Sequence, residues 1–127
     1  MKRFVVDTDV LIDATRGVSD SLAFFDKYGT EISISVVTLS EIYSGFRNDT
    51  EEKRAMAFCS LFELIEVGEK ITVLAGKFRK QYGKSHGMGM ADCIIAATAQ
   101  YEDATLVTLN KKHFPMLRDV LVPYKKS

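Results

Sequence analysis

What this sequence lacks narrows it first. Its 17 basic and 17 acidic residues cancel, so the formal net charge is zero. No long-range field draws such a chain toward nucleic acid, and any contact of that kind needs a local basic patch. Only two cysteines occur, Cys59 and Cys93, both in apolar helical contexts without a CxxC or Cys/His spacing. They are expected to be reduced core thiols, not a disulfide or a zinc site. No apolar run approaches the ~18 residues needed to span a membrane. The opening Met1-Lys2-Arg3-Phe4-Val5-Val6 is interrupted by Asp7 too early for a signal peptide, so the expected compartment is the cytoplasm. No repeat, low-complexity stretch or linker divides the chain. The expectation is one globular domain over residues 1–127, 46% apolar and 27% charged, with length enough for a real core.

Along the chain, short β-branched runs alternate with helical patterns. Arg3 to Val6 reads as a buried strand ending at Asp7. Val10 to Ala14 is helical up to Gly17, and a second helix runs from Ser19 to Lys27 with Gly29 as its stop. Glu31 to Ser35 is a second strand. Val36 to Phe46 is an amphipathic helix with Val36, Leu39, Ile42, Tyr43 and Phe46 on one stripe. Further elements are a helix over Glu51–Leu61, a weak strand near Leu64–Val67, and a long helix over Ile71–Tyr82. A glycine-interrupted loop follows over Gly83–Gly89. Met90 to Tyr101 is a nearly all-apolar helix, Thr105 to Thr108 a fourth strand and Leu121-Val122 a fifth. The last residues, ending Lys125-Lys126-Ser127, read as a loose tail. Strands alternating with helices predict an α/β fold, a parallel sheet covered on both faces. In such sheets, sites form at the carboxyl ends of the strands.

Acidic residues stand at those ends. Asp7, in Asp7-Thr8-Asp9, is either a helix cap or a metal ligand at the end of a central strand. Glu41 closes Thr38-Leu-Ser-Glu41, a capping-box pattern, yet it lies off the apolar stripe beside Thr38 and Gly45. Asp92 opens a helix that is otherwise nearly all apolar from Cys93 to Ala99, so it must lie near the sheet, and the helix dipole favours its ionised form. Small residues, Ala96 and Ala99, follow on its face. Asn110 ends the fourth strand, either as a turn residue and cap or as an oxygen donor to water around a metal. Each feature is weak alone. Together, three carboxylates and an amide come to one edge. Clustered anionic oxygens are relieved by a hard cation, and Mg²⁺ with one or two carboxylates and several waters suits phosphodiester chemistry.

At these residues the sequence resembles the PIN domain family and, in size and motif spacing, the VapC toxins of toxin–antitoxin pairs. The stretches are FVVDTDVLID, VTLSEIYSG, MADCIIAATA and LVTLNKKHF. The resemblance covers essentially the whole chain. It implies a three-layer α/β/α fold with strand order 3-2-1-4-5 and a Mg²⁺- or Mn²⁺-dependent endoribonuclease acting on RNA. It also implies a homodimer and an inhibiting antitoxin protein. Asp7, Glu41 and Asp92 carry over as the acidic ligands, with Thr8, Asp9 and Thr108 in support. Asn110 is a departure, since many members have aspartate there, and it weakens any second metal site.

Other readings compete. Asp7-Thr-Asp9 after an apolar strand also imitates a haloacid dehalogenase-like phosphatase, which would need a later lysine and a paired-aspartate motif. A PIN-like binding module, its chemistry weakened by Asn110, is a non-enzymatic alternative. A metal-free ribonuclease would use His86 and His113. Arg47, Arg79, Lys80, Lys84, Lys111 and Lys112 flank the site and are candidates for gripping an RNA backbone.

Overall fold

The structure, a computed structural model, describes residues 3–126. Three apolar residues, Phe4–Val6, form β1, all buried. A strand buried on both faces is central, and β1 pairs in parallel with β2 (Ile32–Ser35) and with β4 (Thr105–Val107). β3 (Glu63–Ile65) and β5 (Val120–Leu121) complete a parallel sheet ordered β3-β2-β1-β4-β5. The strand order expected from the family resemblance is the one observed.

The pleat distributes the core. Phe4, Val6, Ile32, Ile34 and Val107 face one side with Val10 and Leu11 of α1 (Thr8–Thr15) and Phe24 and Phe25 of α2 (Ser19–Tyr28). Ile42 of α3 (Val36–Ser44) and Ala55 of α4 (Asp49–Cys59) join that side. Val5 and Leu106 face the other side. There they meet Ile71, Ala75 and Phe78 of α5 (Glu69–His86) and Cys93, Ile95 and Ala96 of α6 (Met90–Tyr101). Alternation of side chains across a strand requires this split, and it yields helices on both faces. Helix α3 packs against both α1 and α6, bridging the two layers at the carboxyl edge of the sheet. Cys59 and Cys93 are free and buried in the two cores, where burial pushes both thiols up and keeps them neutral. Among the described residues, no helix is long and apolar enough to cross a membrane.

Three local expectations are corrected. The predicted loop at Gly83–Gly89 is helical as far as His86. One interior glycine costs only about 1 kcal/mol against alanine, too little to break a helix packed against its neighbour. Gly83 instead makes room, since a Cβ there would lie 2.9 Å from Arg79 Nε. The stop is Gly87, at a φ of 63°, a left-handed conformation that suits glycine.

The stripe assigned to α3 is only partly inward. Ile42 is buried, but Tyr43 is 48% exposed and packs edge-on against Phe46. The helix turns Thr38 and Ile42 inward instead.

The tail is not loose either. Tyr124 donates its hydroxyl hydrogen to Asp13 Oδ2 at 2.8 Å, and Lys126 Nζ meets Asp13 Oδ1 at 2.9 Å. Asp13 is buried in α1, and a buried carboxylate needs both donors and a counter-charge. The C-terminal segment supplies them. Ser127 lies outside the described residues.

Candidate active site

Asp7 leaves β1 in extended conformation and caps α1. Its Oδ1 accepts the Thr8 N–H at 2.8 Å and its Oδ2 the Thr108 hydroxyl at 2.8 Å. The cap expected of Asp7 is therefore present, but it engages only one oxygen. Burial, reinforced by the charge of Asp9, pushes the Asp7 carboxyl up to about 7. The bonds from Thr108 and Thr8 oppose that rise, and the charge of Asp92 adds to it. Asp9 is pushed up by burial too, against hydrogen bonds from the Leu109 and Val10 N–H groups at 3.1 and 2.8 Å. The Thr108 hydroxyl lies 3.4 Å from Asp9 Oδ2, but its single hydrogen goes to Asp7 at the shorter distance. Both Asp9 oxygens are thus engaged, and they tie the first turn of α1 to the end of β4.

Thr108, fully buried, also accepts the Asn110 N–H at 3.1 Å. One hydroxyl therefore organises the segment after β4 around Asp7 and Asp9. Thr8 does the same toward α3. Its hydroxyl lies 2.5 Å from Glu41 Oε1 and 3.2 Å from Thr38 Oγ1. A hydroxyl has one hydrogen to give, and the charged acceptor at the shorter distance takes it. The capping-box pattern at Thr38 and Glu41 is not used. Ser35 caps α3 through its side chain, Thr38 is interior and buried, and Glu41 reaches across to α1.

Asp92 lies in the first turn of α6, whose residues Cys93 and Ile95–Ala99 are buried. Its Oδ2 accepts from the Gly89 N–H at 3.3 Å and sits 3.0 Å from His113 Nε2. The cap is present here as well, joined by a partner that sequence pattern did not single out for this role. Asn110 is exposed, and its side chain makes no capping hydrogen bond. Its carbonyl accepts the His113 N–H at 3.1 Å. The expected side-chain cap is absent because the residue acts as a backbone turn.

The basic candidates divide. Arg47 is ion-paired to Glu51 at 2.9 Å. Arg79 is exposed on α5, with its charge acting on Cys93 at the start of α6. Lys80 and Lys84 are exposed on α5, and Lys111 and Lys112 form an exposed turn with His113. The two histidines are not a pair. His86 contacts Ser85 and the Tyr82 ring, whereas His113 contacts Asp92 and Phe114.

The donor set suits a hard cation. Among the described residues no lysine or arginine is ion-paired with Asp7, Asp9, Glu41 or Asp92. Asp7 is accordingly held up by its own burial and by neighbours of like charge. As the side chains stand, no three acidic, histidine or cysteine side chains of the described residues close on one point. Glu41 meets Thr8 through Oε1 and Asp92 meets His113 through Oδ2, one oxygen of each carboxylate. Mg²⁺ asks for only one or two carboxylates beside its waters, so the residues fit such an ion.

A parallel three-layer α/β fold with a buried carboxylate, Asp7, and the half-buried Asp9, Glu41 and Asp92 at the carboxyl edge of its central strands defines the class. The chain belongs to the PIN domain family, whose model matches residues 4–118. It is 37% identical over 124 residues to Ribonuclease VapC10 of Mycobacterium tuberculosis (strain CDC 1551 / Oshkosh), covering 94% of this chain and 92% of that protein. Ribonuclease VapC19 of the same strain is 36% identical over 124 residues, covering 94% and 98%. A toxin-antitoxin complex from Klebsiella pneumoniae superposes with a TM-score of 0.82 at 27% identity, covering 96% of this chain and 98% of that one. Membership of this family sets aside the haloacid dehalogenase-like alternative.

Proposed function

We propose that this chain is a Mg²⁺- or Mn²⁺-dependent endoribonuclease, the toxin of a VapBC-type toxin–antitoxin pair acting in the cytoplasm. Family membership and the ribonucleases it resembles support the nuclease. One observation carries the metal dependence. Asp7 is a buried carboxylate raised to about 7, with the charges of Asp9 and Asp92 adding to the rise and no basic partner among the described residues. A divalent cation there would supply charge neutralisation at the phosphate and a nucleophile from water. Asp7, Glu41 and Asp92 would hold it. Thr108 and Thr8 keep Asp7 and Glu41 oriented, and Asp9 locks α1 onto β4. Lys111 and Lys112 on one side and Arg79, Lys80 and Lys84 on α5 offer charge for the RNA backbone. Arg47, occupied by Glu51, would have to exchange partners to contribute.

The partner reading is a homodimer inhibited by an antitoxin that inserts a basic side chain, an arginine, among these carboxylates, which a bidentate guanidinium suits. A weakly catalytic binding module is the second reading. It is favoured by Asn110, exposed and neutral where a fourth acid would strengthen the site. Titrating Mg²⁺ or Mn²⁺ into the purified chain with total RNA, against an EDTA control, separates the two. Metal-dependent cuts at defined positions establish the enzyme. RNA retained intact at every metal concentration establishes the binding module.

A further inference from the structure

His113 remains outside the roles assigned so far, although its position is closely constrained. The short 3-10 turn Lys111–His113 delivers it, closed by the His113 N–H to the Asn110 carbonyl at 3.1 Å. Its ring is set edge-on to Phe114, with centroids 5.5 Å apart, and Phe114 is fully buried in the α5–α6 core. The imidazole is therefore not a free surface group. Its Nε2 lies 3.0 Å from Asp92 Oδ2, and the side chains are only 22% and 33% exposed. An ionised carboxylate can only accept, so Nε2 carries the hydrogen. The Gly89 N–H reaches the same oxygen at 3.3 Å. Two donors thus converge on Oδ2, while no hydrogen bond of the described residues engages Oδ1.

We propose that His113 is a positioning residue for Asp92, holding Oδ2 so that Oδ1 is the oxygen offered to a divalent cation. The inference rests on the metal-dependent reading above and deepens it. Carboxylates that ligate a metal through one oxygen commonly have the other fixed by a hydrogen-bond donor, and losing that donor typically costs 10–100-fold in metal affinity or activity. The arrangement also couples the two halves of the site. Thr108 fixes Asp7 from the end of β4, and five residues later the same segment fixes Asp92.

The test compares the full-length chain with His113→Phe, which keeps a ring against Phe114 without a donor, and His113→Gln, which keeps a donor on a different frame. Mn²⁺ affinity is read by calorimetry without RNA, alongside melting temperature in EDTA and binding of a short RNA in EDTA. The expected result is a 10–100-fold weaker Mn²⁺ affinity in His113→Phe, smaller in His113→Gln, with RNA binding in EDTA unchanged. Unchanged Mn²⁺ affinity with weaker RNA binding would make His113 a substrate contact and overturn the proposal. Unchanged affinity with a lower melting temperature alone would reduce it to packing. Tighter Mn²⁺ binding in His113→Phe would show that the imidazole competes with the cation. A wild-type chain that binds no Mn²⁺ would defeat the metal reading itself, and this inference with it.

Discussion

The Thr108 hydroxyl donates to Asp7 Oδ2 at 2.8 Å across 101 positions of sequence, and it is the bond that closes the site. It joins the carboxyl ends of adjacent parallel strands β1 and β4, and it favours the ionised form of Asp7 against burial. Thr108→Val keeps the shape and removes the hydroxyl. The Asp7 and Asn110 partners then lose a donor and an acceptor respectively. A hydrogen bond to a charged group contributes about 1.5–3 kcal/mol, so chemical denaturation should show a loss of that order. RNA cleavage should fall further than the stability loss explains, because Asp7 loses the donor that orients its Oδ2.

Asp7 also makes the metal-free protein sensitive to pH. Its folded value, about 7, is higher than the ~3.9 of an unfolded chain. The native state therefore holds a proton that the unfolded state has released. Its contribution to stability is fully present below about pH 4 and is lost as pH rises through 7. In EDTA the chain should be less stable to chemical denaturation at pH 8 than at pH 5, by an amount on the order of a few kcal/mol. Asp7→Asn should flatten that slope. A wild-type slope that persists in Asp7→Asn would place the responsible group elsewhere.

Much of this site was legible because it lies where regular patterns end. The apolar run Phe4–Val6 points to Asp7, and the unbroken apolar stretch after Asp92 makes that carboxylate conspicuous. Glu41 was legible only weakly, from its place off the apolar stripe and from the conjunction with the other two acids. Its cap-like context is misleading, since its true partner, Thr8, is set by how α3 crosses α1. His113 and the Asp13 contacts of the C-terminal segment could not be read, because each joins an irregular turn or tail to a distant helix. No periodicity marks such contacts. The break expected at Gly83 failed for a related reason: packing against α6 decides helix length, and one glycine is a small term against it.

Metal binding should register as stability. An ion bound only by the native state stabilises it by mass action, about 2.7 kcal/mol at 100-fold over Kd. Mg²⁺ or Mn²⁺ should therefore raise the melting temperature of the wild type and leave the Asp7→Asn/Asp92→Asn double variant unmoved. Asp7→Asn, Glu41→Gln and Asp92→Asn should each abolish cleavage while circular dichroism shows a folded protein, since each keeps side-chain shape. Equal thermal shifts in wild type and double variant would mean the ion sits away from these carboxylates.

The ends left by the cut distinguish the chemistry. Where a divalent cation supplies the nucleophile from water, the substrate's 2′-hydroxyl is not needed, and the fragments carry a 5′-phosphate and a 3′-hydroxyl. A histidine-type ribonuclease attacks through the 2′-oxygen and leaves a 2′,3′-cyclic phosphate. The geometry disfavours the second route. His86 and His113 lie on different elements with different partners, and the imidazole nearest the site is committed to Asp92. The expected products are 5′-phosphate and 3′-hydroxyl ends, read by end-group analysis, with cutting abolished by EDTA. A substrate with a single 2′-deoxy sugar at the scissile position should still be cut. Cyclic phosphate ends, or cleavage that survives EDTA, would defeat the carboxylate–metal reading. Failure at the deoxy position alone, with the correct ends elsewhere, would instead assign that hydroxyl to recognition, where RNA-binding sites commonly use it.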